Sequence, residues 1–224
     1  MNLIGKGNTA EVFDMGDDKI LKLFIPGYPK EPVEREYSNA RLMESFNLPV
    51  PACYEMTERD GRFGIVYEKV PGTDLYTFMV KTGEFQKGLE ILVGFQKQIL
   101  EKECDTLMSY KDFIKLVIGD RDPDAFTKID SLPDGNTVCH GDFHPFNILV
   151  DDAGNAKVID FMNVCRGPKL YDIARSYFLM RGDGPVQSEV AALLSAYLQL
   201  HAVTEAELEP YFEVIRICHK WEML

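Results

Sequence analysis

The stretch VCHGDFHPFNILV, residues 138–150, sets four polar side chains between two apolar ends. His140, Asp142, His144 and Asn147 all fall within eight positions. Burying an imidazole, a carboxylate or a carboxamide costs free energy unless a partner satisfies it. These groups therefore satisfy one another, or they meet a metal or a substrate. Asp142 can accept a proton from an attacking hydroxyl. Asn147 and Asp160, the latter in the downstream VIDF, offer hard oxygen ligands that suit magnesium better than zinc. If NILV and AKVIDF pair across the turn DDAGN, Asn147 and Asp160 come from the outer ends of one hairpin, beside the loop that holds Asp142. Asx-turns account for Asp142 and Asn147 singly but not for the set. A rival arrangement uses the same stretch. On an extended strand His140, Asp142 and His144 share a face that could bind a transition metal, as in a metal-dependent hydrolase. Gly141 and Pro145 interrupt such a strand, and the chain holds only four histidines.

Outward from this stretch the texture of the chain changes twice. Residues 1–70 read as strands with one helix. GNTAEVFDM and KILKLFI flank the turn GDD, and ACYEMTERDGRFGIVYEKV forms a second hairpin around Asp60-Gly61. Between them PVEREYSNARLMESF repeats Val33, Tyr37, Ala40 and Leu42 at helical spacing. After Pro71-Gly72 helices dominate. Leu89, Leu92, Val93, Gln96, Ile99 and Leu100 form one stripe, and Thr204 with Glu207 reads as a capping box. The predicted architecture is α+β and bilobal: a small β-rich N-lobe over residues 1–70, a hinge at about 68–72, and a larger, mostly helical C-lobe over 73–224.

Composition bounds the function. With 46% apolar residues in 224, the chain can bury a substantial core. A net charge of −12 argues against gripping nucleic acid by its phosphates; it fits a cationic ligand or simply a solvated acidic surface. No apolar run approaches the roughly 18 residues of a membrane span, and MNLIGKGNTAEVF lacks the pattern of a signal peptide. The five cysteines show no C-x-x-C, which fits reduced thiols rather than a disulfide framework or structural zinc. The expectation is a cytoplasmic protein without nucleic-acid or membrane partners.

Three further features carry chemistry. GKGNTAEV, residues 5–12, places Gly5 and Gly7 where backbone N–H groups can approach phosphate oxygens, although an ordinary glycine turn also explains it. Lys22 alternates with Leu21 and Leu23, so it faces either a cleft or the solvent. A buried Lys22 needs a carboxylate partner. Glu34 and Glu36 lie about 200° apart on a helix, so only one of them can face the strand.

The order of these pieces resembles the aminoglycoside phosphotransferase and choline kinase-like family, small-molecule relatives of the protein kinases. HGDFHPFNILV, VIDF and YDIARS carry the likeness, which spans nearly the whole chain. It implies a protein-kinase-like fold that uses ATP and Mg2+, with residues 1–70 as the nucleotide-binding lobe. It also implies transfer of the γ-phosphate to a hydroxyl of a small, amine-bearing acceptor. By the same likeness Asp142 is the catalytic aspartate, and Asn147 and Asp160 are the magnesium ligands. Lys22 binds the α- and β-phosphates, Glu36 is its ion-pair partner, and the Gly5–Gly7 loop covers the phosphates. The backbone at Glu68 and Val70 meets adenine. Asp172 and His140 are structural, and His144 has no assigned role. Ala10 in place of a third glycine, and Met162 where a D-F-G motif has its glycine, favour the small-molecule branch. An atypical protein kinase remains an alternative, as does a pseudokinase module, although no lysine, base or metal ligand is missing.

Overall fold

The computed structural model describes residues 1–182 and 184–222. In chain order the first elements are β1 (Asn2–Lys6), β2 (Ala10–Gly16), β3 (Lys19–Phe24), α1 (Lys30–Ser45), β4 (Cys53–Arg59), β5 (Arg62–Glu68), β6 (Thr73–Asp74) and α2 (Leu75–Thr82). Next come α3 (Phe85–Leu100), α4 (Tyr110–Ile118), α5 (Ala125–Ser131), β7 (Thr137–Cys139), β8 (Ile148–Val150) and β9 (Ala156–Val158). The chain closes with β10 (Cys165–Gly167), α6 (Lys169–Arg181), α7 (Ser188–His201) and α8 (Glu205–Glu222). The fold class is α+β. The chain forms two compact units, one of Met1–Lys81 with Phe146–Met162 and the other of Thr82–Pro145 with Asn163–Leu224. No helix among the described residues is long and apolar enough to cross a membrane.

In the first unit a five-stranded antiparallel sheet runs in the order β1-β2-β3-β5-β4. Its two tight hairpins turn at Asp17-Asp18 and Asp60-Gly61, and all four residues have positive φ, from 49° to 70°. Two-residue hairpins demand that backbone sign, and aspartate tolerates it better than most side chains. Leu21 and Leu23 point into the buried core with Val66. Lys22 therefore projects from the opposite face of β3.

The buried stripe of α1 is Val33, Glu36, Asn39, Ala40 and Met43. It differs from the predicted stripe, because Tyr37 and Leu42 are only half-buried. Two polar residues take inward positions because each finds a polar partner there.

A second sheet, in the order β6-β8-β9, brings residues 146–162 into the same unit as the large sheet. Val158 N–H donates to the Pro49 carbonyl at 2.8 Å, which ties β9 to the chain leaving α1. Close approach at Gly72 makes the β6–β8 pairing possible. Its φ is +107°, and a Cβ there would sit 1.9 Å from the Val150 carbonyl oxygen. Gly72→Ala is expected to destabilise the protein by more than the ~1–3 kcal/mol of a strained backbone alone. Urea unfolding checks this; a change within about 0.5 kcal/mol, the size of a neutral surface substitution, refutes it.

The second unit is helical around a two-stranded antiparallel ribbon, in which Cys139 faces Cys165 across β7 and β10. The buried face of α3 is Gly88, Leu89, Leu92, Val93, Gln96, Ile99 and Leu100, which contains the whole predicted stripe. The central helix is α6, where every residue from Tyr171 to Tyr177 is buried. At the start of α8, the Glu207 carboxylate accepts from the Thr204 N–H at 2.8 Å, the returning half of a capping box.

Candidate active site

Lys22 is the centre of the site in the first unit. Its ammonium lies 2.7 Å from Glu36 Oε1 and 3.2 Å from Asp160 Oδ1. Spacing alone left Glu34 and Glu36 open, and the structure places Glu36 inward at 1% exposure while Glu34 pairs with Lys30 at the surface. Tyr67 OH, from β5, donates to the same Glu36 Oε1 at 3.1 Å. The second oxygen, Oε2, is buried with no partner among the described residues. Burial accordingly pushes the Glu36 carboxyl above its ordinary range, against the pull of Lys22. Burial pulls Lys22 the other way, but Asp160 and Glu36 outweigh it and hold the ammonium above its usual value. Lys22 is thus a fixed positive charge facing away from the sheet's Leu21–Leu23 core.

Asp160 owes its position to the β8–β9 hairpin. Ile159 N–H donates to the Asn147 carbonyl at 2.9 Å, so Asn147 and Asp160 emerge at the same end of the hairpin. The Asp160 backbone is left-handed, with φ +67°, which turns the chain sharply out of β9. Asn39 Nδ2 on α1 then holds the carbonyl of Phe161 at 2.9 Å. Sequence reading missed Asn39; its spacing of three from Glu36 puts both on one helix face. Asn147 and Asp160 present a carboxamide and a carboxylate. Among the described residues no three His, Cys, Asp or Glu side chains gather as metal ligands. A two-residue, all-oxygen donor set fits magnesium, which takes few protein ligands and fills its shell with water and phosphate.

Glu68, which ends β5, and Val70 just beyond it are the residues expected to meet adenine. Glu68 N–H donates to the Ala52 carbonyl at 2.9 Å, and its carboxylate is gripped by Lys157 at 2.6 and 2.7 Å. Val70 N–H makes no hydrogen bond among the described residues. Gly5 lies within β1, and a Cβ there would make only an ordinary 3.5 Å contact with Val12. Gly7 N–H closes a turn onto the Ala10 carbonyl at 2.8 Å. Neither glycine has positive φ, so neither is demanded by backbone conformation in this structure.

The second unit carries Asp142. Gly141, with φ +76°, breaks the extension of β7 immediately before it. His140 turns inward, fully buried and edge-on to Phe143 with ring centroids 5.4 Å apart. The alternating His–Asp–His face of a metal-dependent hydrolase is therefore not formed. His144, for which the sequence suggested no role, lies with Nε2 3.7 Å from Asp142 Oδ2. Burial alone would raise the Asp142 carboxyl, but His144, Arg175 and His140 outweigh it and hold it at about 2. Asp142 is thus an anion at all ordinary pH, able to accept the hydrogen bond of a hydroxyl.

Behind Asp142 the backbone of Gly141 is held at both ends. Its N–H donates to Asp172 Oδ1 at 2.8 Å, and its carbonyl accepts from Arg175 Nε at 3.1 Å. Asp172 and Arg175 lie three apart on α6, both buried, and Arg175 pairs with Glu222 of α8. Asp172 thus occupies the structural position expected of it, while Arg175 was not singled out from sequence.

The model of a phosphotransferase enzyme family (APH) matches residues 1–211 of the chain. No curated protein matches it. Among solved structures, a thermostable mutant of aminoglycoside phosphotransferase APH(4)-Ia, in ternary complex with ADP and hygromycin B, superposes with a TM-score of 0.72 at 16% identity, covering 100% of this chain and 86% of that one. APH(3'')-Id from Streptomyces rimosus ATCC10970, in complex with ADP and streptomycin, gives 0.70 at 14%, covering 93% and 90%. Aminoglycoside-3'-phosphotransferase of type VIII gives 0.67 at 16%, covering 97% and 91%. At such identities the likeness speaks for the fold.

Proposed function

Because the chain belongs to the phosphotransferase enzyme family, we propose that it moves the γ-phosphate of ATP to a hydroxyl of a small, amine-bearing acceptor. The observation that carries this reading is the buried Lys22, held by Glu36 of α1 and by Asp160 just beyond β9 in the same unit. A buried lysine with two carboxylates needs no ligand for charge balance, but phosphates would find there a positioned ammonium. The similar folds crystallised with ADP support an adenine nucleotide as the phosphate donor.

In this reaction the acceptor oxygen attacks the γ-phosphorus, the bond to the β–γ bridging oxygen breaks, and ADP leaves. Asp142 orients the hydroxyl and takes its proton. Lys22 holds the α- and β-phosphates, and Glu36 fixes the ammonium. The backbone at Gly5 and Gly7 faces the phosphates, while Glu68 and Val70 meet adenine, the latter through its unengaged N–H. Asn147 and Asp160 would hold magnesium, which would supply positive charge against the phosphate oxygens. The same reading places the protein in the cytoplasm, where ATP is abundant.

The amine on the acceptor is argued from charge. The net charge is −12, and the helical unit carries Asp120, Asp122, Asp124, Glu205, Glu207 and Glu209 near its surface. Hygromycin B and streptomycin, bound by the similar structures, are in keeping with it. A screen of aminoglycosides, amino-alcohols, neutral sugars and peptides, with and without magnesium, tests the reading by acceptor-dependent ADP release. Amine-bearing acceptors are expected to respond, and only with magnesium. A response confined to neutral or anionic acceptors, or to polypeptides, overturns it.

A further inference from the structure

Gln96 is a polar residue on the apolar stripe of α3, and it is fully buried. Its Nε2 donates to Asp172 Oδ2 at 2.9 Å and to Ser176 Oγ at 2.9 Å. Its Oε1 accepts from Tyr197 OH at 2.5 Å and meets His201 Nε2 at 3.0 Å, both on α7. A carboxylate can only accept, so the amide nitrogen must face Asp172 and the amide oxygen must face α7. His201 accordingly carries its proton on Nε2. Asp172, Ser176 and Tyr197 are each fully buried, so water does not replace a lost partner.

This network ends on the phosphotransfer loop. Gln96 engages one oxygen of Asp172, and Asp172 holds the Gly141 N–H with the other. Gly141 has little room to adjust: its φ is +76°, and a Cβ would lie 2.3 Å from the Asn163 carbonyl oxygen. Asp142 follows directly. We propose that Gln96 is a positioning residue: by fixing the orientation of the Asp172 carboxylate, it sets the backbone that presents Asp142. The proposal rests on the phosphotransferase reading for its catalytic consequence, but its structural link stands alone. An amide suits the place because it donates at one end and accepts at the other. A glutamate would set a second carboxylate against Asp172, and methionine would leave both Asp172 Oδ2 and Tyr197 OH without this partner.

The test compares wild type with Gln96→Met, which keeps the side chain's length and removes its polar ends. ADP release from magnesium–ATP, with water as acceptor, is expected to fall roughly 10–100-fold, as for a small misplacement of a reacting group. The Kd for ATP is expected to stay within about twofold, because nothing in the first unit changes. In 15N-labelled protein the Gly141 amide is expected to exchange with solvent faster, while amides of β3 and β5 keep their protection. Unchanged Gly141 exchange in a folded variant overturns the proposal, as does wild-type turnover. Should Gln96→Met not fold, Tyr197→Phe is judged by the same readouts, with a smaller loss expected. A wild type that releases no ADP with water or with any acceptor of the screen sinks the functional reading instead, and the exchange experiment still decides the link from Gln96 to Gly141.

Discussion

Asp142→Asn is expected to lower turnover about 10²–10⁴-fold, the usual worth of a positioned general base, with the fold and the affinity for ATP retained. The carboxamide is close in shape to the carboxylate but takes no proton, so the loss falls on kcat. His144, Arg175 and His140 hold the Asp142 carboxyl at about 2 in spite of its burial. A carboxyl depressed on folding contributes stability that is fully present above its unfolded value, about 3.9. That contribution fades as pH falls through about 2. The variant is therefore expected to be slightly less stable than wild type at neutral pH, with the difference vanishing in strong acid. Steady-state kinetics and ATP titration separate the two effects. Turnover within twofold of wild type removes Asp142 from the mechanism.

Lys22→Met is expected to cost stability as well as activity. Removing the ammonium leaves Glu36 as an unpaired carboxylate at 1% exposure. Breaking a buried pair in this way typically costs about 3–5 kcal/mol, a large part of a domain's stability. The cost depends on pH with a definite sign. Burial already pushes the Glu36 carboxyl up, and only Lys22, with Tyr67, pulls it down. Without Lys22 the folded value rises further above the unfolded one, so the folded state binds the proton more tightly. Stability relative to wild type is then greatest at low pH and falls as pH rises through the raised folded value. Urea unfolding at pH 5 and 7.5 reads this directly. A deficit that is equal at both, or larger at pH 5, contradicts the pairing. ADP release is expected to be lost at both, since the phosphates lose their fixed cation.

Much of this arrangement is legible one residue at a time. Alternation around Lys22 puts it opposite Leu21 and Leu23, because side chains on a strand have a period of two. The turn at DDAGN pairs NILV with AKVID, and that pairing sets Asn147 and Asp160 at one end of a hairpin. The α3 stripe even contains Gln96, a polar residue in apolar company, and that mismatch is a signal of a buried partner. What spacing left open was the choice between Glu34 and Glu36, since both positions are equally helical. Asn39 and Arg175 were not singled out for the same reason: their partners are Phe161, 122 residues away, and Gly141, 34 residues away. The stripe expected for α1 is displaced because local periodicity weighs apolar residues only, whereas Glu36 and Asn39 are drawn inward by hydrogen bonds.

By itself the sequence determined the elements, their turns, and the side chains proposed to carry the chemistry, because these follow from local periodicity and from residue type. Only the tertiary structure decided which glutamate meets Lys22, that His140 turns inward while His144 meets Asp142, and that Gln96 and Arg175 stand behind Gly141. Those choices depend on which polar groups are brought together out of water, and that energy exists only once distant segments have packed.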